Sequence, residues 1–102
     1  MSFRRAAKVD SNQSEVVKAF RDLGWYVLII SQLKNCCDIM VSRNGRTIAI
    51  EIKDGEKPPS QQKLSDGEIK FRDEWQGEYQ LINCIDDVIK ISGQPQRGVA
   101  DR

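Results

Sequence analysis

Between two apolar runs stands Arg43-Asn44-Gly45-Arg46, and this tetrapeptide constrains the fold more than any other segment of the chain. Asn and Gly both tolerate positive φ, so the pair suits a two-residue hairpin turn whose twist matches that of the strands it joins. The turn predicts that Asp38-Ile39-Met40-Val41-Ser42 pairs with Thr47 to Lys53. Alternation along the second strand places Ile48, Ile50 and Ile52 on one face and Ala49, Glu51 and Lys53 on the other.

The flanking segments extend this hairpin into a layered domain. Asn12 opens a helical period in which Val16, Ala19, Phe20 and Leu23 share a face and Gly24 takes the C-terminal glycine position. Trp25 to Ile30, rich in aromatic and β-branched residues, is predicted as a buried strand, with Trp25 and Tyr26 in the core. Asp54 to Leu64, with Gly55, Pro58 and Pro59, reads as a loop. A second helix is expected over Ser65 to Gln76, stopped by Gly77, with Trp75 packed on the sheet. Tyr79 to Asn83 is a fourth strand, and Ile85 to Ile91 a last helix ending at Gly93. The order α-β-β-β-α-β-α gives an α/β fold. Three antiparallel strands lead through a helix to a parallel fourth, a mixed four-stranded sheet flanked by helices. The 102 residues leave no room for a second core. One domain is expected over residues 11–93, with a flexible basic arm at 1–10 and a flexible tail at 94–102.

Composition narrows the chemistry. There is no histidine, which excludes Ser-His-Asp and Cys-His hydrolases, zincins and histidine-dependent phosphotransfer. Carboxylates, lysine and an oxygen-loving Mg²⁺ or Mn²⁺ remain, and no organic cofactor is expected. Sixteen Lys plus Arg against fifteen Asp plus Glu give a net charge of +1, so any polyanion site must be a local patch. Cys36, Cys37 and Cys84 are odd in number and lack zinc spacing, as befits small half-buried residues in a reducing cytosol. The longest apolar run is six residues and no secretory pattern follows Arg4, Arg5 and Lys8, so a cytoplasmic protein without membrane contact is expected.

The third strand departs from the usual pattern of a half-buried strand. Glu51 and Lys53 share its second face, and the hairpin folds Asp38 back to within a residue or two of Glu51. Two carboxylates so close repel each other, and a divalent cation relieves the repulsion. Asp38, Glu51 and the Ile52 carbonyl offer hard oxygens for it. Such a cation polarises a phosphate and lowers the pKa of a water, while Lys53 orients that water or neutralises developing charge. The plainer alternative is a surface salt bridge. Asn12…Glu15 and Ser65…Glu68 are also spaced as capping boxes, which would make both acids structural.

Asn12-Gln13-Ser14-Glu15, Asp38-Ile39-Met40-Val41, Glu51-Ile52-Lys53-Asp54-Gly55, Lys57-Pro58-Pro59-Ser60, Lys63-Leu64-Ser65, Glu68, and Lys70-Phe71 with Trp75 together resemble the PD-(D/E)XK nuclease superfamily. Within it they look like the small stand-alone VRR-NUC nucleases of phage and prophage. The resemblance covers residues 12 to about 91. It implies a restriction-endonuclease-like core with Asp38 and Glu51 as metal-binding carboxylates and Lys53 as the catalytic lysine. It further implies Glu15 as a first-helix acid facing the metal, directly or through water, with Gln13 and Glu68 near the site. The chain departs from the pattern at Lys34, Asn35 and Cys36, where glycines are expected, at Cys37 in place of proline, and at Arg72 in place of histidine.

The activity so implied is endonucleolytic cleavage of DNA to 5′-phosphate and 3′-hydroxyl ends. A two-fold homodimer suits a branched substrate such as a four-way junction or flap. Candidate phosphate contacts are Arg4, Arg5 and Lys8 in the arm, Lys57 and Lys63 in the loop, and Lys70 and Arg72 on the second helix. The alternatives are a catalytically silent nucleic-acid-binding or assembly module on the same fold, and a small interaction domain whose Glu-x-Lys is incidental.

Overall fold

A computed structural model describes residues 12–93; the expected basic arm with Arg4, Arg5 and Lys8 and the expected tail lie outside the described residues. The elements are α1 (Gln13–Asp22), β1 (Tyr26–Ile29), β2 (Ile39–Arg43), β3 (Arg46–Ile52), α2 (Asp66–Glu74), β4 (Glu78–Ile82) and α3 (Ile85–Ser92). The strands lie in the order β1-β2-β3-β4, antiparallel up to β3 and parallel between β3 and β4. The α/β class and the mixed four-stranded sheet flanked by three helices are as the sequence predicts.

The hairpin turn forms as its residues require. Asn44 and Gly45 take φ of 51° and 85°, and Arg43 pairs with Arg46 to close the two-residue loop. The resulting register directs Ile48, Ile50 and Ile52 of β3, with Ile82 of β4, to one face of the sheet. There they form the core with Val16, Val17 and Phe20 of α1 and Val88 and Ile91 of α3. No residue of α2 is buried; this helix lies over the opposite face, where Phe71 meets Tyr79 of β4.

Three expectations about packing are corrected. Leu23 is exposed and Val17 takes its place inside, because Leu23 is the cap residue where the chain leaves the helix. Gly24 at φ +91° allows the Trp25 amide to reach the Phe20 carbonyl at 3.0 Å, and the two rings meet edge to face at 5.7 Å. Secondly, β1 is an edge strand rather than a buried one. Trp25 and Val27 are buried, but Tyr26, Leu28 and Ile29 are exposed at the outer edge of the sheet. Thirdly, α2 ends at Glu74, so Trp75 caps it in extended conformation with its ring partly in solvent instead of packing in the sheet core.

The hairpin is tied down by the arginines that flank its turn. Arg43 donates to the carbonyls of Leu23 at 2.8 Å and Ser92 at 2.5 Å, beyond the last turns of α1 and at the end of α3, and its guanidinium lies 4.7 Å from the Trp25 ring centre. Arg46 grips Glu78 with two hydrogen bonds, from Nε at 2.9 Å and Nη2 at 2.5 Å, and donates to the Ile91 carbonyl at 3.1 Å. One guanidinium thus joins β3, β4 and α3 behind the turn. Arg46→Ala should destabilise the domain by about 3 kcal/mol in urea unfolding, because the largely buried Glu78 loses the bidentate guanidinium that offsets its charge. Arg46→Lys should recover only part of this, since an ammonium cannot form the bidentate pair.

Candidate active site

Asp38 stands at the entry to β2 and is anchored on the backbone of β3. Its amide donates to the Ile50 carbonyl at 3.0 Å, and its Oδ2 accepts the Ile52 amide at 2.8 Å. Continuing the Ile39–Ile50 pairing by one residue sets it opposite Glu51. Glu51 is only 2% exposed, an unusual place for a carboxylate. Lys53 Nζ lies 3.9 Å from Glu51 Oε2 and 3.0 Å from Glu68 Oε1.

Glu68 reaches this group from the first turn of α2. Its Oε1 also accepts the Ser65 amide at 2.9 Å, while its own amide donates to Ser65 Oγ at 3.2 Å, completing a capping box. The capping and near-site roles of Glu68 are therefore not alternatives, since one oxygen serves both. A cleft of about 450 Å³ opens over Asp38, Glu51, Lys53 and Glu68. Its walls are residues 33–36 of the loop before β2, Ser31, and the segment from Gln61 to Ser65.

Burial pushes the Glu51 carboxyl up to about 10, with the charges of Asp38 and Glu68 adding to the effect. Glu51 thus holds a proton at neutral pH. For Glu68, burial acts upward, but hydrogen bonds from the Ser65 amide and Lys53 outweigh it and the net shift is downward. Burial, and then the charge of Glu51, raise the Tyr79 phenol to about 12, and its hydroxyl has no partner among the described residues. These groups, on three strands and a helix, respond to one another electrostatically.

The structure separates some residues that the sequence grouped. Glu15 is exposed and lines a different cleft, together with Asn12, Asp54, Glu56 and Asn83. It is not among the residues lining the Asp38–Glu51 cleft, because α1 turns Gln13, Val16 and Val17 inward and leaves Glu15 exposed. The capping box expected at Asn12 is absent. The Asn12 amide group instead donates to the Lys53 carbonyl at 3.1 Å, tying α1 to the end of β3. Gln13 is buried one layer behind the cleft, where its Nε2 donates to Ser31 Oγ at 3.2 Å.

Of the expected cations, Lys63 lines the cleft. Lys57 is exposed on the loop outside it, Lys70 pairs with Glu74 at 2.8 Å, and Arg72 pairs with Asp73 at 3.1 Å. Lys34, Asn35 and Gln61 also line the cleft and carried no sequence signal as site residues. Asn35 has φ of 57°, a left-handed conformation that asparagine tolerates better than most residues. Cys37 is fully buried, its Sγ 3.4 Å from the Ile39 carbonyl, and burial raises its thiol to about 12. Cys36 is half-buried and Cys84 exposed.

Among the described residues, no three Asp, Glu, Cys or His side chains form a ready metal cage, and no helix is long and apolar enough to cross a membrane. No family model, curated protein or solved structure matches the chain.

The protonated Glu51 has a consequence for stability. An unfolded glutamate ionises near 4.5, whereas the folded one keeps its proton to about 10. Between these values the unfolded state binds fewer protons, so in chelator the stability should fall as pH rises, by at most about 1.4 kcal/mol per unit. Glu51→Gln should flatten this slope and leave the variant more stable than the wild type at pH 8. Urea titrations across the pH range measure both.

Proposed function

We propose that the chain is a Mg²⁺- or Mn²⁺-dependent endodeoxyribonuclease on a PD-(D/E)XK-type core, leaving 5′-phosphate and 3′-hydroxyl ends. The observation that carries the proposal is the convergence of Asp38, Glu51 and Lys53 at the floor of one cleft. Their placement by adjacent strands makes a rigid constellation, with Asp38 held by the Ile52 amide and Lys53 by Glu68.

The donor set suits a hard divalent cation. Mg²⁺ is commonly held through one or two carboxylates, with waters and substrate phosphate completing its shell, so the lack of a three-acid cage is no obstacle. A cation between Asp38 and Glu51 offsets their repulsion and lets Glu51 give up its proton. Asp38, Glu51 and the Ile52 carbonyl would hold it, and Glu15 takes no part. When bound, the cation supplies Lewis acidity at the scissile phosphate.

The remaining steps belong to the chain's own residues. Lys34 and Lys63 at the cleft wall attract the phosphate backbone. Lys53, fixed by Glu68, orients the attacking water and offsets charge that develops on the phosphoryl oxygens. Most polar groups of the cleft are suited to phosphate rather than to base edges, which favours recognition of DNA shape over sequence. The uncharged, exposed edge strand β1, presenting Tyr26, Leu28 and Ile29, supports a homodimer and hence a two-fold substrate such as a four-way junction.

Duplex, single-strand, flap and four-way-junction DNA should be incubated with Mg²⁺ or Mn²⁺, with light scattering on the same samples. Metal-dependent cutting of a branched form is expected, with Lys53→Ala slower by about 10³-fold, in the range of a lost transition-state contact. Apparent affinity should fall steeply as salt rises from about 50 to about 200 mM. Binding of these DNAs without cutting by metal-loaded wild type would overturn the enzyme proposal in favour of a silent binding module.

A further inference from the structure

Beside the carboxylate cleft lies a second groove of about 320 Å³, lined by Asn35, Gly67, Lys70, Phe71, Glu74 and Trp75. Asn35 lines both spaces, so the two are neighbours. We infer that this groove seats an unpaired nucleobase on Phe71 and Trp75, next to the phosphate in the cleft; the inference rests on the nuclease proposal and assigns that site its substrate class.

The aromatic platform is held in place before any ligand arrives. Phe71 and Trp75 stack with ring centres 5.4 Å apart and planes 25° from parallel. The indole N–H donates to the Glu78 carbonyl at 2.9 Å. Gly77 approaches so closely that a Cβ there would lie 3.0 Å from the indole nitrogen. Phe71 is half-buried against Tyr79 of β4, while Trp75, beyond the end of α2, remains 36% exposed. A large ring pinned in position yet open to solvent contributes little to the core and suits stacking on a flat ligand.

Position and polarity specify that ligand. Glu68, Phe71 and Trp75 follow one another at helical spacing along α2. The aromatic residues lie about 4.5 and about 10 Å along the axis from Glu68, at 1.5 Å per residue. These distances are within reach of a nucleotide close to one whose phosphate occupies the cleft. The Asn35 amide, held by its left-handed backbone against Gly67, offers a donor and an acceptor to a base edge. Lys70 and Glu74 form a highly exposed pair at 2.8 Å, which gives way to a phosphate at little cost.

A base can stack on a protein ring only after leaving its own stack, which costs energy in duplex DNA and little in a single-stranded segment. The groove therefore favours DNA with an unpaired base beside the scissile phosphate, as flaps and open junctions provide.

The test uses the full chain at low salt with Ca²⁺. A short oligothymidylate is compared with an abasic strand of equal length by fluorescence anisotropy, with intrinsic tryptophan emission recorded in parallel. The thymidylate should quench the emission and bind about fivefold or more tightly than the abasic strand. Trp75→Ala should remove that advantage, whereas Trp75→Phe should keep affinity within about twofold. Equal binding of both strands with unchanged emission would overturn the base seat and leave the nucleic-acid proposal standing. Failure to bind either strand, or duplex and junction DNA, would overturn the nuclease proposal and this inference with it.

Discussion

Because side chains alternate along a strand, slipping β2 against β3 by one residue would turn Ile48, Ile50 and Ile52 away from α1 and α3 and drive Glu51 and Lys53 into hydrocarbon. The Asn44-Gly45 turn excludes that slip, since its two positive-φ residues fit only the register that pairs Arg43 with Arg46. Everything at the site follows from this register. It sets Asp38 opposite Glu51, directs both away from the apolar core, and places Lys53 where α2 delivers Glu68. The arginines beside the turn secure the same register from behind, through carbonyls of the α1 and α3 ends and through Glu78.

Glu68 is the point at which fold and site become one. Its carboxylate closes the N-terminus of α2, a helix with no buried residue of its own, and at the same time pairs with Lys53. The negative charge that fixes the lysine also adds to burial and Asp38 in keeping Glu51 protonated. The cleft thus combines a rigid lysine with a carboxyl that releases its proton reluctantly, a combination a structural ion pair would not require.

Local sequence carried the hairpin, the β3 alternation and the Ser65 capping box, because each depends on neighbours within a few residues, and the crossover rule carried the parallel return through α2. It failed where an outcome depended on what lies across the fold. The Tyr26 to Ile29 run is hydrophobic enough for a central strand, yet its edge position leaves Tyr26, Leu28 and Ile29 exposed. Asn12 has cap spacing with Glu15, but the Lys53 carbonyl was a better-placed partner. Glu15 is expected to face a metal, yet the packing of Gln13, Val16 and Val17 leaves it on the exposed side of α1. Trp75 looked like core, and only the end of α2 at Glu74 shows it half in solvent beside the cleft. Asn35 drew attention as a missing glycine, and its φ of 57° is one that asparagine tolerates better than most residues.

The central claim is that Asp38 and Glu51 form a charge-strained pair built to receive a divalent cation. Calorimetric titration with Mn²⁺ near pH 7, repeated in buffers of different ionisation enthalpy, tests it most directly because it counts protons as well as bound metal. The account predicts one site, abolished by Asp38→Asn, whose occupation releases close to one proton from Glu51. Absence of binding, or binding unchanged in Asp38→Asn and without proton release, would contradict it.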